Sequence, residues 1–211
     1  MIRSFLVASV ALMLVAGAAL PARAGAPTDQ VREYTDAVIK VLEDPALKAE
    51  DKKPERRAAV RKIAVEVFDV QETARRALGP HWQQRTPQQR EEFVHLFADL
   101  LEQTYISKID LFGGERLRFT EEKIDGEHAI VRAKVMTKQS TEVPVEARML
   151  RKGDRWQIYD ILIENISLIG NYRAQFDRII RTSSYEDLVK RLRIRGEFLK
   201  EPEARPRRTS R

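Results

Sequence analysis

The chain of 211 residues lacks cysteine, has only three histidines, and is poor in aromatic residues, which make up 7% of it. Without cysteine, disulfides, thiolate nucleophiles and cysteine-ligated metals are excluded. The histidines are His81, His95 and His128, which are far apart and lack the H-E-x-x-H spacing of a zinc site. No G-x-S-x-G elbow and no glycine-rich phosphate loop occurs. We therefore predict no metal, no cofactor and no catalytic residues.

Long apolar runs are also absent after the first 24 residues. The run from Phe5 to Ala19 is about 15 residues long, whereas a membrane-spanning helix needs about 20. Arg3 precedes this run, and Pro21-Ala22-Arg23-Ala24 follows it as an A-x-A-type cleavage site. This arrangement is typical of a secretory signal peptide, so we predict a signal peptide over residues 1–24 and a periplasmic location for the remainder.

Lysine and arginine slightly outnumber the acidic residues, 38 against 32. An excess of this size is compatible with anionic lipid headgroups or acidic protein surfaces. Nucleic acid is not an expected partner, because an exported protein rarely meets it. Residues 199–211 combine arginine, proline and glutamate with almost no apolar side chain, which predicts a disordered basic tail. Residues 25–198 are long enough to form one domain with its own core, which we expect to be monomeric.

Helices are predicted on both sides of a central group of strands. The first helix has an apolar stripe at helical spacing, and the second follows a charged stretch that ends at Arg57. A third begins at Asp69, and a fourth begins at a Thr86–Gln89 capping box with Pro87 at its first position. After the strands, Ser167 is predicted to cap one helix and Ser183 another. The apolar stripe of the first helix consists of Val31, Tyr34, Thr35, Val38, Val41 and Leu42.

After Gly114 the apolar period changes from 3.6 to 2, which indicates β-strands. Asp125-Gly126 and Lys152-Gly153-Asp154 are turn signals between the strands. Four strands joined by short turns predict an antiparallel meander. Strict alternation in the last strand predicts Trp156, Ile158 and Leu162 on one face and Tyr159, Ile161 and Ile163 on the other. The predicted fold is α+β, a four-stranded antiparallel curved sheet wrapped by N- and C-terminal helices and enclosing an apolar pocket.

The stretch from Ile161 to Phe176 reads Ile-Leu-Ile-Glu-Asn-Ile-Ser-Leu-Ile-Gly-Asn-Tyr-Arg-Ala-Gln-Phe. It resembles the strand-to-helix segment of the MlaC family, the auxiliary periplasmic proteins of toluene-tolerance and lipid-asymmetry ABC transport systems. Phe93, Leu96, Phe97 and Tyr105 in the fourth helix support the resemblance. It implies a soluble phospholipid carrier between an outer-membrane lipoprotein complex and an inner-membrane ABC transporter complex, without a cofactor or catalysis.

Periodicity alone favours an ordinary solid core, and the family resemblance is what favours a lipid pocket. The fourth helix and the helix that follows the sheet have the widest apolar faces, so we predict that they cover the lining face of the sheet. The predicted lipid-binding residues are Phe97, Leu100, Leu101, Tyr105, Val131, Val135, Val145, Ala147, Met149, Ile161, Ile169, Tyr172 and Phe176.

Two other classes of protein remain open at this stage. An isomerase or hydrolase acting on an apolar substrate could use a buried carboxylate as a general base, and Asp160 and Glu164 are the candidates. Carboxylates near strand ends are usually structural, which argues against this role. The second alternative is a periplasmic interaction module with a solid core, which would carry no lipid.

Overall fold

The computed structural model describes residues 26–106, 114–136 and 141–194. The predicted signal peptide and basic tail lie outside the described residues. The helices are α1 (Pro27–Glu43), α2 (Lys53–Val67), α3 (Val70–Leu78), α4 (Pro87–Tyr105), α5 (Leu168–Thr182) and α6 (Tyr185–Arg193). The strands are β1 (Arg116–Asp125), β2 (His128–Met136), β3 (Glu142–Lys152), β4 (Arg155–Ile163) and β5 (Ile166–Ser167). Short 3₁₀ turns cover Pro45–Leu47, Glu50–Lys52 and Gly79–Gln84.

The helix starts follow local capping chemistry. Thr86 and Gln89 form a reciprocal capping box at the start of α4, and the Asp69 side chain accepts a hydrogen bond from the Glu72 amide at the start of α3. Ser167 caps α5 by accepting from the Gly170 amide. The cap of α6 is Ser184, one residue later than predicted, because its hydroxyl oxygen accepts from the Asp187 amide. Each side chain satisfies an amide that the first helical turn leaves without a partner.

Over the described residues the sheet has five antiparallel strands in the order β1-β2-β3-β4-β5, one more than predicted. The additional strand arises because Glu164 and Asn165 both have positive φ, 51° and 65°, and form a two-residue turn. Such turns match the twist of a hairpin. The chain therefore reverses after Ile163, and Ile166 pairs with Ile163 before α5 begins. The α+β fold class itself is confirmed.

A β-bulge in β4 changes which side chains share a face. Arg148 pairs with Asp160 and Met149 pairs with Ile158, so Tyr159 is left without a partner in the register. An unpaired extra residue interrupts the alternation of side chains along a strand. Ile158 and Ile161 consequently face the same side, as their shared cavity shows. The predicted assignment of these two residues to opposite faces is therefore wrong.

The two faces of the sheet differ in chemistry. The outer face of β1–β3 has a network of ion pairs, in which Arg132 contacts both Glu121 and Glu146, at 2.7 and 2.8 Å. Glu142 pairs in the same way with Arg118 and Lys134. Hydrogen bonds from these two cations lower the pKa of the Glu142 carboxyl. The inner face carries the apolar side chains, so α1 and α2 pack there.

The buried apolar side chains fall into two clusters. The first, the helical core, lies among α3, α4, α5, α6 and the 3₁₀ turn at Gly79–Gln84. The second, the sheet core, lies between α1, α2 and the inner face of the sheet. Its buried members are Val31, Val67, Ala129, Val131, Ala147, Met149, Trp156 and Ile158. Only the second cluster is positioned to border a pocket beneath the sheet.

Candidate functional site

A cavity of about 460 Å³ lies between α1, α2, the end of α4 and the inner face of the sheet. This volume is within the range of about 300–1,000 Å³ that is usual for ligand pockets. The helices contribute Val31, Tyr34, Thr35, Val38, Ile39, Leu42, Val60, Ile63, Ala64, Val67, Phe68, Tyr105 and Ile106. Strands β1 to β4, together with the residue that precedes β1, contribute Glu115, Leu117, Phe119, Val131, Ala133, Val145, Ala147, Ile158 and Ile161.

The lining is almost entirely apolar. Thr35 is one of its few polar residues, and its hydroxyl donates to the Val31 carbonyl oxygen at 2.7 Å within α1. That hydrogen bond is internal to the helix, so the hydroxyl is already satisfied. Among the described residues, Glu115 is the one charged member of the lining, and it is half-buried. The cavity can therefore bind an apolar group by burial, with little directed hydrogen bonding.

The cavity is closed at one end and open at the other. At the closed end, Val31, Val67 and Ile158 are buried, with 5–8% of their surface exposed. At the opposite end, Leu42 and Val145 are only half-buried, and Tyr105 is 38% exposed. The open end coincides with the start of β1, the end of β2, the start of β3 and the end of β4. An apolar ligand would enter there and extend towards α1's N-terminal turns.

Hydrogen bonds and one ion pair hold α1 across the sheet. At the closed end, the Thr28 amide donates to a Glu122 carboxylate oxygen at 2.8 Å, and the Trp156 amide donates to the Gln30 side-chain oxygen at 2.8 Å. At the open end, Glu43 pairs with Arg116 at 2.8 Å. In each of the first two contacts, a backbone amide binds a side-chain oxygen of a residue that is distant in the sequence. They fix α1 over the apolar inner face.

The structure brings together only part of the predicted lipid-binding set. Five of the predicted residues line the cavity, and they are Tyr105, Val131, Val145, Ala147 and Ile161. Met149 is fully buried in the sheet core beside the cavity, and Val135 is half-buried on β2 outside the lining. The remaining predicted residues lie in or against the helical core, and they are Phe97, Leu100, Leu101, Ile169, Tyr172 and Phe176.

The helical core is filled by aromatic rings. The Phe176 ring lies 5.7 Å from the Phe93 ring and 5.4 Å from the Phe97 ring, in both cases edge to face. Tyr172 makes a similar contact with Phe97 at 5.2 Å. Edge-to-face contact at these separations is favourable for aromatic pairs. The wide apolar faces of α4 and α5 therefore pack against each other, which leaves the inner face of the sheet to α1 and α2.

The prediction from sequence did not assign α1 and α2 to the pocket. The apolar stripe of α1 was visible, since Val31, Tyr34, Val38 and Leu42 follow helical spacing, and all four line the cavity. What distinguishes this stripe from that of α4 is that its side chains are mostly aliphatic, where α4 has stacked phenylalanines. That difference is the signal in the sequence that could have indicated an unfilled space.

The carboxylates considered as possible general bases have structural partners or lie outside the cavity. Asp160 is buried and accepts hydrogen bonds from the Ser167 hydroxyl at 2.6 Å and the Ile169 amide at 3.1 Å. These contacts tie β4 to the start of α5. Glu164 is exposed at the β4–β5 turn. Among the described residues, no cluster of three or more histidine, aspartate or glutamate side chains could hold a metal ion.

In the described parts of the chain, no helix combines the length and apolar character required to cross a membrane. The fold and the cavity together define an α+β protein with an open apolar ligand cavity beneath an antiparallel sheet. The model of the MlaC protein family matches residues 32–194, which is most of the chain. The chain therefore belongs to the MlaC family, as its Ile161–Phe176 segment predicted.

Two individual proteins are similar to this chain. The intermembrane phospholipid transport system binding protein MlaC of Haemophilus influenzae is 21% identical over 141 residues, covering 64% of this chain and 66% of that protein, just under two thirds of its length. A phospholipid-binding protein from Ralstonia solanacearum, solved in complex with a phospholipid, has a TM-score of 0.71 and 24% identity. That comparison covers 83% of this chain and 99% of the other. At this identity it establishes a shared fold.

Proposed function

We propose that this protein is a periplasmic phospholipid carrier that moves lipid between an outer-membrane lipoprotein complex and an inner-membrane ABC transporter complex, without catalysing a reaction. The observation that carries the proposal is the open cavity of about 460 Å³ with its nearly uniform apolar lining. A phospholipid-bound relative of the same fold supports it. A solid-core interaction module would have no need for such a space.

The energetics favour enclosure of the lipid chains. Each methylene transferred out of water contributes about 0.8 kcal/mol, so two chains of about 15 methylenes contribute roughly 24 kcal/mol. A lipid released into water would lose this contribution, which makes a free-lipid intermediate very slow to form. Transfer therefore takes place while the carrier is docked, along a continuous apolar path. The carrier encloses chains and leaves the headgroup near the open end, beside Glu115 and Arg116.

The enzyme alternative receives less support from the site. Asp160 has its carboxylate oxygens occupied by Ser167 and Ile169, and the lining residues that the structure describes include no paired acid and base. Lipid carriers and enzymes that act on apolar substrates both need an apolar pocket. An enzyme also needs polar groups placed in the pocket to act as acid, base or nucleophile.

The proposal is tested by mass spectrometry of lipids extracted from protein purified from the periplasm. The wild type should carry phospholipid, and several headgroup classes should be represented because the lining offers few directed hydrogen bonds. The intact mass of the same sample should correspond to a chain that begins at Gly25. Protein that folds normally and carries no phospholipid contradicts the carrier function, and a mass that retains residues 1–24 contradicts the predicted cleavage.

A pair of variants tests whether this cavity is the lipid site. Val145→Glu places a charge among apolar side chains at the open end, where desolvation costs several kcal/mol once a lipid is bound. Ile130→Glu is the matched control, because Ile130 is half-buried beside Arg148 in the sheet but does not line the cavity. The first variant should lose most of its lipid and the second should retain it. Equal lipid content in both folded variants would exclude the cavity as the site.

A further inference from the structure

We propose that Arg32, on the exposed surface of α1, is a positioning residue of the lipid site that acts through Phe119. Phe119 lines the cavity and Arg32 does not. The guanidinium carbon of Arg32 lies 4.6 Å from the centroid of the Phe119 ring, and a cation within about 6 Å of an aromatic centroid is attracted to the face of the ring. The inference rests on the proposed carrier function and adds to it a residue that controls how long the lipid stays bound.

The edge of the sheet at β1 provides only a narrow wall for the cavity. β1 is the first strand in the sheet order and pairs with β2 alone among the described strands. It contributes two side chains to the lining, those of Leu117 and Phe119, and both residues are half-buried. Because no further strand packs beside them, contacts from α1 must hold these side chains in place.

A β-bulge makes Phe119 the last apolar lining residue along β1. The register between β1 and β2 shifts between Phe119 and Glu121, so that Glu122 is the residue that pairs with the cavity-lining Val131. Glu122 is exposed, and its carboxylate accepts a hydrogen bond from the Thr28 amide. A carboxylate held in this way does not continue an apolar wall. The apolar wall along β1 therefore ends at the Phe119 ring.

Stacking of Arg32 restricts the orientation of this ring. The planar guanidinium of arginine stacks on aromatic faces, and its aliphatic stem covers apolar surface. Val31, the preceding residue of α1, is buried and lines the cavity, which anchors this turn of the helix beside the ring. Without the guanidinium, the ring gains other rotamers and water reaches the bound chains from the side. The consequence is faster lipid dissociation, since changes at one interface act mainly on the dissociation rate.

The test measures how fast a phospholipid leaves the full-length mature protein. The protein is loaded with pyrene-labelled phosphatidylglycerol, and transfer of the label to an excess of phosphatidylcholine vesicles is followed by fluorescence. Arg32→Ala should release the label about threefold faster than the wild type. Arg32→Lys keeps a cation that can lie over the ring, so it should release the label more slowly than the alanine variant.

Arg85→Ala is the matched control. The guanidinium carbon of Arg85 lies 4.5 Å from the centroid of the Tyr185 ring, so the contact is of the same kind, and neither residue lines the cavity. This variant should release the label at the wild-type rate, even where urea unfolding shows a loss of stability. A role of Arg32 in overall stability alone would make the two alanine variants behave alike.

A double-mutant cycle tests whether Arg32 acts through Phe119. Phe119→Leu keeps an apolar side chain in the wall and removes the aromatic ring. In that background, Arg32→Ala should not change the release rate further, because the effects of two residues that act through one contact do not add.

A release rate of Arg32→Ala equal to that of the wild type overturns the proposal. Equal acceleration in Arg32→Ala and Arg85→Ala overturns it as well, because the effect then follows from general destabilisation. An undiminished effect of Arg32→Ala in the Phe119→Leu background also overturns it, since the guanidinium would then act without the ring. Wild-type protein that takes up no labelled phospholipid would refute the carrier function itself, and that failure is seen before any variant is compared.

Discussion

Phe176→Ala should destabilise the protein strongly and leave lipid binding intact, since Phe176 is fully buried in the helical core and does not line the cavity. Its ring is in contact distance of Phe93, Phe97 and Tyr172, with centroid separations of 5.4–5.7 Å. Replacing a buried phenylalanine by alanine costs about 3–5 kcal/mol, from lost apolar transfer and the space left behind. The free energy of unfolding should therefore fall by about 4 kcal/mol.

Ile161→Ala is expected to weaken lipid binding and to change the stability of the protein only slightly. Ile161 is half-buried and already faces the cavity, so truncation enlarges an existing space and creates no new one. The loss of stability in the lipid-free protein should be about 1 kcal/mol. Lipid binding should weaken measurably, because the removed carbons would contact an acyl chain.

Urea unfolding followed by circular dichroism measures the free energy of unfolding of both variants, and the amount of lipid per folded molecule measures their lipid binding. A typical domain is stable by only 5–15 kcal/mol, so Phe176→Leu serves as a milder replacement if the alanine variant does not fold. Folded Phe176 variants that have lost their lipid, beside an Ile161 variant that retains it, would refute the assignment of the two clusters. In that case the aromatic residues predicted from sequence would be the lipid site.

Two further predictions concern polar groups. Asp160→Asn should lower the free energy of unfolding by about 1–3 kcal/mol, because the Ser167 hydroxyl and the Ile169 amide lose a charged acceptor. Asp154→Asn, in the exposed β3–β4 turn, is the control. Equal small effects of both variants in urea unfolding would contradict the structural role of Asp160. Burial raises the pKa of Tyr185 to about 12, and its hydroxyl donates to the Gln89 carbonyl oxygen at 3.0 Å. The unfolded tyrosine ionises near its usual pKa of about 10, so this contribution to stability is present below pH 10 and is lost as pH rises towards 12. Ultraviolet absorbance of the tyrosinate should show late ionisation, and Tyr185→Phe should flatten the stability profile in this range; a wild-type profile already flat there would contradict the linkage.

The sequence by itself determined the fold class, the family and most of the boundaries of the elements. Local chemistry was sufficient for these features. A capping pair such as Thr86 and Gln89 acts within one turn of helix, and the change from period 3.6 to period 2 depends only on neighbouring residues. The Ile161–Phe176 segment was specific enough to identify the family, because it combines the end of a strand, a turn and a helix start.

The fifth strand and the bulge at Tyr159 depended on longer-range pairing. A Glu-Asn turn is not a strong hairpin sequence, so the reversal after Ile163 is set by the contacts of Asp160, Ser167 and Pro144. The bulge is visible only in the register between β3 and β4. One unpaired residue was enough to reverse the predicted face of Ile161 relative to Ile158, since alternation has a period of two.

Only the tertiary structure decided which apolar faces enclose space and which fill it. Periodicity shows that a helix face is buried, but it does not identify the partner against which the face packs. α4 and α5 carry large rings that interlock with each other at the Phe93–Phe97–Phe176 contacts. α1 and α2 carry mostly aliphatic side chains that span the inner face of the sheet without filling it. The cavity is therefore a property of how side-chain volumes add up across elements that are distant in sequence.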